Sequence, residues 1–168
     1  MLIKCFLDTT FLMPIFGLDT SIENLGEQIQ EILGSKQYLF QFSPISIIEI
    51  KWQIIKLEKK TSNLNAMEVH FSHALSSLRD DTRFYSVDFL DANINDISHE
   101  LRKIGHKDYF DTVIASSALW NADLFITEDE PLVKIVQSFL SDHQINGVNP
   151  TIQLERWSSF YANYSVPS

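Results

Sequence analysis

Asp108-Tyr-Phe-Asp111-Thr-Val-Ile-Ala-Ser-Ser-Ala-Leu-Trp-Asn-Ala-Asp123-Leu-Phe-Ile-Thr127-Glu128-Asp129-Glu130 is the stretch whose reading decides the fold. Its first two carboxylates, Asp108 and Asp111, stand three residues apart and so share one face of a first helical turn. Exposed N–H groups and the positive end of the helix dipole favour acids there. Val113, Ile114, Ala118 and Leu119 follow at helical spacing, with small Ala115, Ser116 and Ser117 between them. Such a surface lets a helix lie close on a sheet. After Asn121 the pattern changes to Leu124-Phe125-Ile126, a short apolar run that predicts a buried strand. A parallel strand that ends in carboxylates points them into the crevice beyond the sheet's carboxyl edge, where open α/β folds place ligands. Taken alone, Glu128, Asp129 and Glu130 are better read as a cap for a helix starting at Pro131. The rest of the chain shifts that balance.

Upstream, Ile3 to Leu7 reads as a first strand running into Asp8-Thr9-Thr10 and then a short helix or turn around Pro14. An Asp that leaves a strand into a turn is often an N-cap, and a ligand role is compatible with that. Thr20 or Ser21 is the expected cap of a helix reaching Leu33 and closed by Gly34. Tyr38 to Phe42 reads as a second strand. Ser43 at a cap position followed by Pro44 starts a third helix to about Lys60. Its first half is apolar almost all round, and Glu49 is the only charge before Lys51. A carboxylate in those surroundings needs a partner, because burying it unpaired costs several kcal/mol by order of magnitude. Ser46, one turn earlier on the same side, is a candidate supporting group.

A polar break from Thr61 to Leu64 precedes an amphipathic helix from Asn65 to about Arg79. His70 and His73 lie three apart on it, but without a third ligand nearby they read as solvent-facing. Arg83 to Val87 is a third strand, and Asp91 to Ile104 a helix stopped by Gly105. His106 and Lys107 follow directly. Beyond Pro131 come a helix to about Leu140, a turn or edge strand over Asn146 to Pro150, and a helical segment from Ile152 to Tyr161. The expectation is a single domain over residues 1–168, with residues 151–168 a helical tail packed on it.

Alternating strands and helices predict a three-layer α/β/α sandwich on a central, mainly parallel sheet. Asp8 and Asp129 then leave the carboxyl ends of two strands, and Glu49 and Asp111 sit in the first turns of helices entered from the same edge. Topology gathers four acids that are remote in sequence. Carboxylates within a few ångströms of one another cannot all stay ionised without a cation. Oxygen ligands with no His or Cys expected at the rim point to Mg²⁺ or Mn²⁺, ions that activate water and stabilise charge on a phosphoryl oxygen.

Composition sets outer limits. At 168 residues, with 45% hydrophobic and 21% charged side chains, the chain fits an ordinary globular domain. No apolar run approaches a bilayer span, and Met1 to Asp8 lacks the pattern of a secretory signal. One cysteine, Cys5, excludes an internal disulfide and fits a reducing compartment, so the expected location is the cytoplasm, with no membrane partner. The net charge of −9 argues against a globally basic nucleic-acid surface; acids concentrated at a cation site account for part of the excess.

The order Asp8-Thr9, Ser46-x-x-Glu49, Asp111-x-x-Ile114-Ala115 and Thr127-x-Asp129 resembles the PIN-domain nucleases, which include the VapC-type ribonuclease toxins. The resemblance spans nearly the whole chain. It implies Mg²⁺- or Mn²⁺-dependent RNA hydrolysis, frequent homodimers and, for the toxins, an antitoxin protein as partner. Carried over, Asp8, Glu49, Asp111 and Asp129 are the catalytic metal ligands, with Thr9 and Thr127 as polar neighbours. Asp108 stands ready to assist Asp111, and Glu128 to assist Asp129. Lys51, Arg102, Lys103, His106 and Lys107 are candidates for phosphate contact, His106 and Lys107 foremost because they adjoin Asp108. Two other readings compete. One is a catalytically silent RNA-binding or scaffold module. The other is an aspartate-nucleophile phosphatase built on Asp8, which would want an acid where this chain has Thr10.

Overall fold

The computed structural model describes residues 2–59, 64–142 and 147–164. Strands β1 (Ile3–Leu7), β2 (Tyr38–Phe42), β3 (Phe84–Ser86), β4 (Leu124–Ile126) and β5 (Gln153–Glu155) form one sheet in the order β3-β2-β1-β4-β5. Every pairing is parallel. The connecting helices are α1 (Thr9–Leu12), α2 (Leu25–Leu33), α3 (Pro44–Glu58), α4 (Leu64–Asp80), α5 (Ala92–Ile104), α6 (Tyr109–Asn121), α7 (Glu130–Asp142) and α8 (Trp157–Tyr164). A 3₁₀ turn over Met13–Phe16 extends α1.

Alternation along the strands divides the interior into two cores. Cys5, Leu7, Phe40, Phe42, Leu124 and Ile126 face one side, where they pack with Phe11, Ile29, Ile50, Phe71 and Trp157. Phe6 and Phe125 face the other, against Ile97, Leu101, Val113, Ala118 and Phe139. Phe6 and Phe125 meet edge to face with ring centroids 5.9 Å apart, a favoured aromatic geometry. The result is the α/β/α sandwich expected from the sequence.

Helix α6 fits tightly because its small residues bury completely. Ser116 and Ser117 turn their hydroxyls back on the helix, donating to the Thr112 carbonyl at 2.6 Å and the Val113 carbonyl at 2.8 Å. Both buried serine hydroxyls of α6 are thereby paired within the helix.

Several boundaries differ from the sequence reading. Helix α2 starts at Leu25 rather than at Thr20 or Ser21. The Thr20 hydroxyl instead closes a local turn, accepting from the Ile22 N–H and donating to the Ile22 carbonyl, both at 3.3 Å. The chain then enters the helix through Asn24 at φ 57°. Helix α7 begins at Glu130, one residue before the expected start. The edge strand is Gln153–Glu155, not the segment ending at Pro150, so the last helix is shortened to begin at Trp157. Asn146, Lys60 and the polar break at 61–63 lie outside the described residues. Among the described residues no helix is long and apolar enough to cross a membrane.

Candidate metal centre

β1 lies between β2 and β4, so the chain leaves it in opposite directions on its two sides. Such a switch point opens a crevice at the carboxyl edge of the sheet. The pairing Leu7↔Ile126 sets the next residues, Asp8 and Thr127, side by side. The Thr127 hydroxyl donates to Asp8 Oδ2 at 2.7 Å and accepts the Asp129 N–H at 3.2 Å. Asp8 Oδ1 accepts the Thr9 N–H at 2.7 Å, and the Thr9 hydroxyl donates to Glu49 Oε2 at 2.5 Å. Two threonines thus tie Asp8, Glu49 and the Asp129 backbone into one hydrogen-bonded series. Thr127 directly follows β4, and Thr9 opens α1 one residue beyond the end of β1, so the sheet fixes both backbones closely.

Asp111 reaches the same crevice from the first turn of α6. Helix α6 is capped by Asp108, whose carboxylate accepts the Phe110 N–H at 2.8 Å. Asp129 caps α7 through the Leu132 N–H at 2.8 Å. The capping reading of Asp129 and its place in the crevice are therefore both realised.

Burial, and secondarily mutual repulsion, raises three of these carboxyls. Asp8 is pushed up to about 6, first by burial and then by Asp111 and Asp129, while its Thr127 and Thr9 hydrogen bonds act the other way. Glu49 rises to about 7, chiefly through burial, with Asp111, Asp8 and Asp108 adding repulsion against the Thr9 hydrogen bond. Burial also raises Asp111; Asp108 and Asp129 add to the shift, and the hydrogen bond from His106 opposes it.

His106 lies deeper in the site than a contact at its rim would. It was expected as a phosphate contact at a rim free of histidine, yet its Nε2 lies 3.1 Å from Asp111 Oδ2 and its side chain is only 8% exposed. Gly105 causes this. At φ 129° it ends α5 in a conformation that glycine readily adopts. The Gly105 and His106 N–H groups close on the Arg102 and Leu101 carbonyls, a Schellman-type stop that turns the chain back. Among the described residues, His106, Asp111 and Asp129 form a group whose ligand atoms all lie within 4.8 Å of one another. Asp8 and Glu49 stand outside this group, linked to it through Thr9, Thr127 and the Asp129 N–H.

The remaining candidates are spread more widely. Glu128 turns away to accept the Trp157 N–H at 2.9 Å, which holds the start of α8. Ser46 is fully buried, and its hydroxyl has no hydrogen-bond partner among the described residues. Lys107 is exposed beside Asp108. Lys51 pairs with Glu68 at 2.5 Å and Lys103 with Glu100 at 2.7 Å, while Arg102 lies over the Tyr109 ring. His70 and His73 are exposed on α4.

The architecture is similar to a chain of VapBC2 from Rickettsia felis, solved bound to a DNA fragment from their promoter. That match has 19% identity and a TM-score of 0.58, covering 92% of this chain and 98% of that one. A chain of DNA-bound VapBC from Salmonella typhimurium matches at 17% identity and a TM-score of 0.55, over 94% of this chain and 99% of that one. The fold is PIN-like. Identities this low establish shared architecture alone. No protein-family model matches the sequence, nor does any curated protein. The PIN-like fold thus rests on the sheet order and the structural likeness, in agreement with the motif order in the sequence.

Proposed function

We propose that the chain is a metal-dependent endoribonuclease, the toxin of a toxin–antitoxin pair. Asp8, Glu49, Asp111 and Asp129 would hold one or two Mg²⁺ or Mn²⁺ ions. The observation that carries this reading is the convergence of four acids on one crevice, three of them raised by burial and by one another's charge. Such a set is unfavourable when ionised and becomes favourable around a cation, so the residues fit a hard divalent ion. When bound, the ion supplies charge stabilisation to a phosphoryl oxygen and lowers the pKa of a water. Thr9 and Thr127 keep the carboxylates of Glu49 and Asp8 oriented. Lys107, exposed next to Asp108, is placed to contact a phosphate of the RNA. Labelled RNA is expected to be cut in Mn²⁺, left intact in excess chelator, and cut again once Mn²⁺ is restored. Equal cleavage with and without chelator would sink the assignment.

The partner we assign is an antitoxin protein. Both structural relatives are VapBC assemblies. This chain also carries an open groove of about 820 Å³ beside the site, lined by Ile48, Trp52, Phe71, Leu75 and Phe110 and reaching Glu49 and Asp108. Ile48 and Trp52 are 54% and 55% exposed, unusual for large side chains that sit together. Lys51 and Lys56 rim the groove, so an apolar segment flanked by acids would suit it. Coexpression with a candidate antitoxin of the VapB type is expected to yield a complex that suppresses cleavage. Trp52→Arg should weaken that complex roughly tenfold or more, as loss of a buried aromatic anchor does. Affinity unchanged by the substitution would exclude the groove.

A further inference from the structure

The reading above assigns oxygen ligands only, and the geometry at His106 goes beyond it. Two ligands at right angles on one ion, each roughly 2.1 Å from it, stand about 3 Å apart, and opposite ligands about 4.2 Å. His106 Nε2 and Asp111 Oδ2 are separated by 3.1 Å. With Asp129 included, the ligand atoms span no more than 4.8 Å. A hydrogen bond accounts for the first distance alone. Three ligand atoms gathered in one small volume, one of them an imidazole nitrogen, also suit a shared ion.

We propose that His106 is a direct nitrogen ligand of the ion, sharing it with Asp111 and Asp129. The centre therefore selects a divalent transition ion such as Mn²⁺ or Co²⁺ over Mg²⁺. This rests on the metal-dependent reading of the site and adds which ion the site takes. Imidazole suits transition ions, whereas Mg²⁺ demands oxygen and keeps its waters. The Schellman-type stop at Gly105 sets the backbone of His106, so the ring is in place before any ion arrives. Substituting the ring should then alter selectivity more than fold.

Pulsed EPR on the full chain loaded with Mn²⁺ tests this directly. Nitrogen hyperfine coupling is expected in the wild type and its loss in His106→Gln. The ratio of Co²⁺ to Mg²⁺ affinity, measured by titration, should fall roughly tenfold to a hundredfold in the same variant. The wild-type spectrum stands even if His106→Gln folds poorly, and His106→Asn provides a second substitution. Mn²⁺ binding without nitrogen coupling, or with coupling that survives both substitutions, would overturn the ligand assignment while leaving the nuclease reading in place. No Mn²⁺ bound at millimolar concentration would remove both.

Discussion

Asp8→Asn is expected to lower RNA cleavage on the order of a thousandfold while leaving the protein folded. Asp8 sits at the middle of the crevice, where Thr9 and Thr127 hold both of its oxygens. Asparagine preserves the shape. Its carbonyl can still accept the Thr9 N–H, and the Thr127 hydroxyl can rotate to accept from the new amide. What is lost is one negative charge. A metal site contributes several kcal/mol of transition-state charge stabilisation, and each ~1.4 kcal/mol is a factor of ten in rate. The melting temperature should hold or rise, because the substitution relieves a carboxylate that burial and two neighbouring acids disfavour. Glu128→Gln supplies the contrast. Its carboxylate serves the Trp157 N–H, so cleavage should stay within about twofold, while stability falls by roughly 1 kcal/mol through the weakened start of α8. Comparable losses of cleavage in both variants would show that the acids matter only as bulk charge.

The metal-free protein should become less stable as pH rises from about 4 to 7, and Mn²⁺ should reverse the trend. The sign follows from the direction of the shifts. Asp8 and Glu49 have folded values of about 6 and 7, above their ordinary values of 3.8 and 4.5. Between those limits the folded state holds more protons than the unfolded one, so unfolding releases protons and stability declines as pH climbs. Above pH 7 both states are ionised and the decline levels off. Asp80, Asp81 and Glu130 are shifted the other way, by hydrogen bonds from Arg79, Arg83 and Arg156. Their contribution is lost below the ordinary carboxylate range, outside this window. From Asp8 the decline is on the order of 2 kcal/mol, or roughly 5 °C in Tm for a domain of this size. Ion binding must displace the retained protons, so it is weaker in acid. Thermal melts at pH 5 and 7.5, each with and without Mn²⁺, are expected to show the larger stabilisation at pH 7.5. A metal-free Tm that climbs between these values would contradict the electrostatic account, as would an equal Mn²⁺ shift at both. Asp8→Asn should flatten part of the slope.

Which parts were legible in the sequence follows from how each is determined. β1, β2 and β4 read as apolar runs, broken only by Lys4 and Gln41, because a central parallel strand is buried on both faces. The starts of α3 and α5 were marked by Ser43-Pro44 and Asp91, whose side chains do cap them. The convergence of acids was legible because a parallel sheet places every strand end on the same side. β5 was not. Gln153-Leu154-Glu155 has too short a pattern to read, and it is a strand because β4 offers a free edge to pair with. The start of α2 was obscured by a hydroxyl that prefers its own turn. The position of His106 was not legible because it depends on a chain reversal. The glycine just before it was visible as a helix stop, but a stop does not reveal which way the next side chain swings. A histidine one residue past a helix-ending glycine and five before an acid in the next helix's first turn is the pattern that would have flagged it.

The two borders of the sheet, Phe84–Ser86 and Gln153–Glu155, are each only three residues long. So brief a border presents few unpaired amides to a stranger, which blunts strand-by-strand accretion into fibres. If two copies of the chain associate, they should therefore meet helix against helix, leaving the mouth of the crevice to be covered or left open according to which flank is shared.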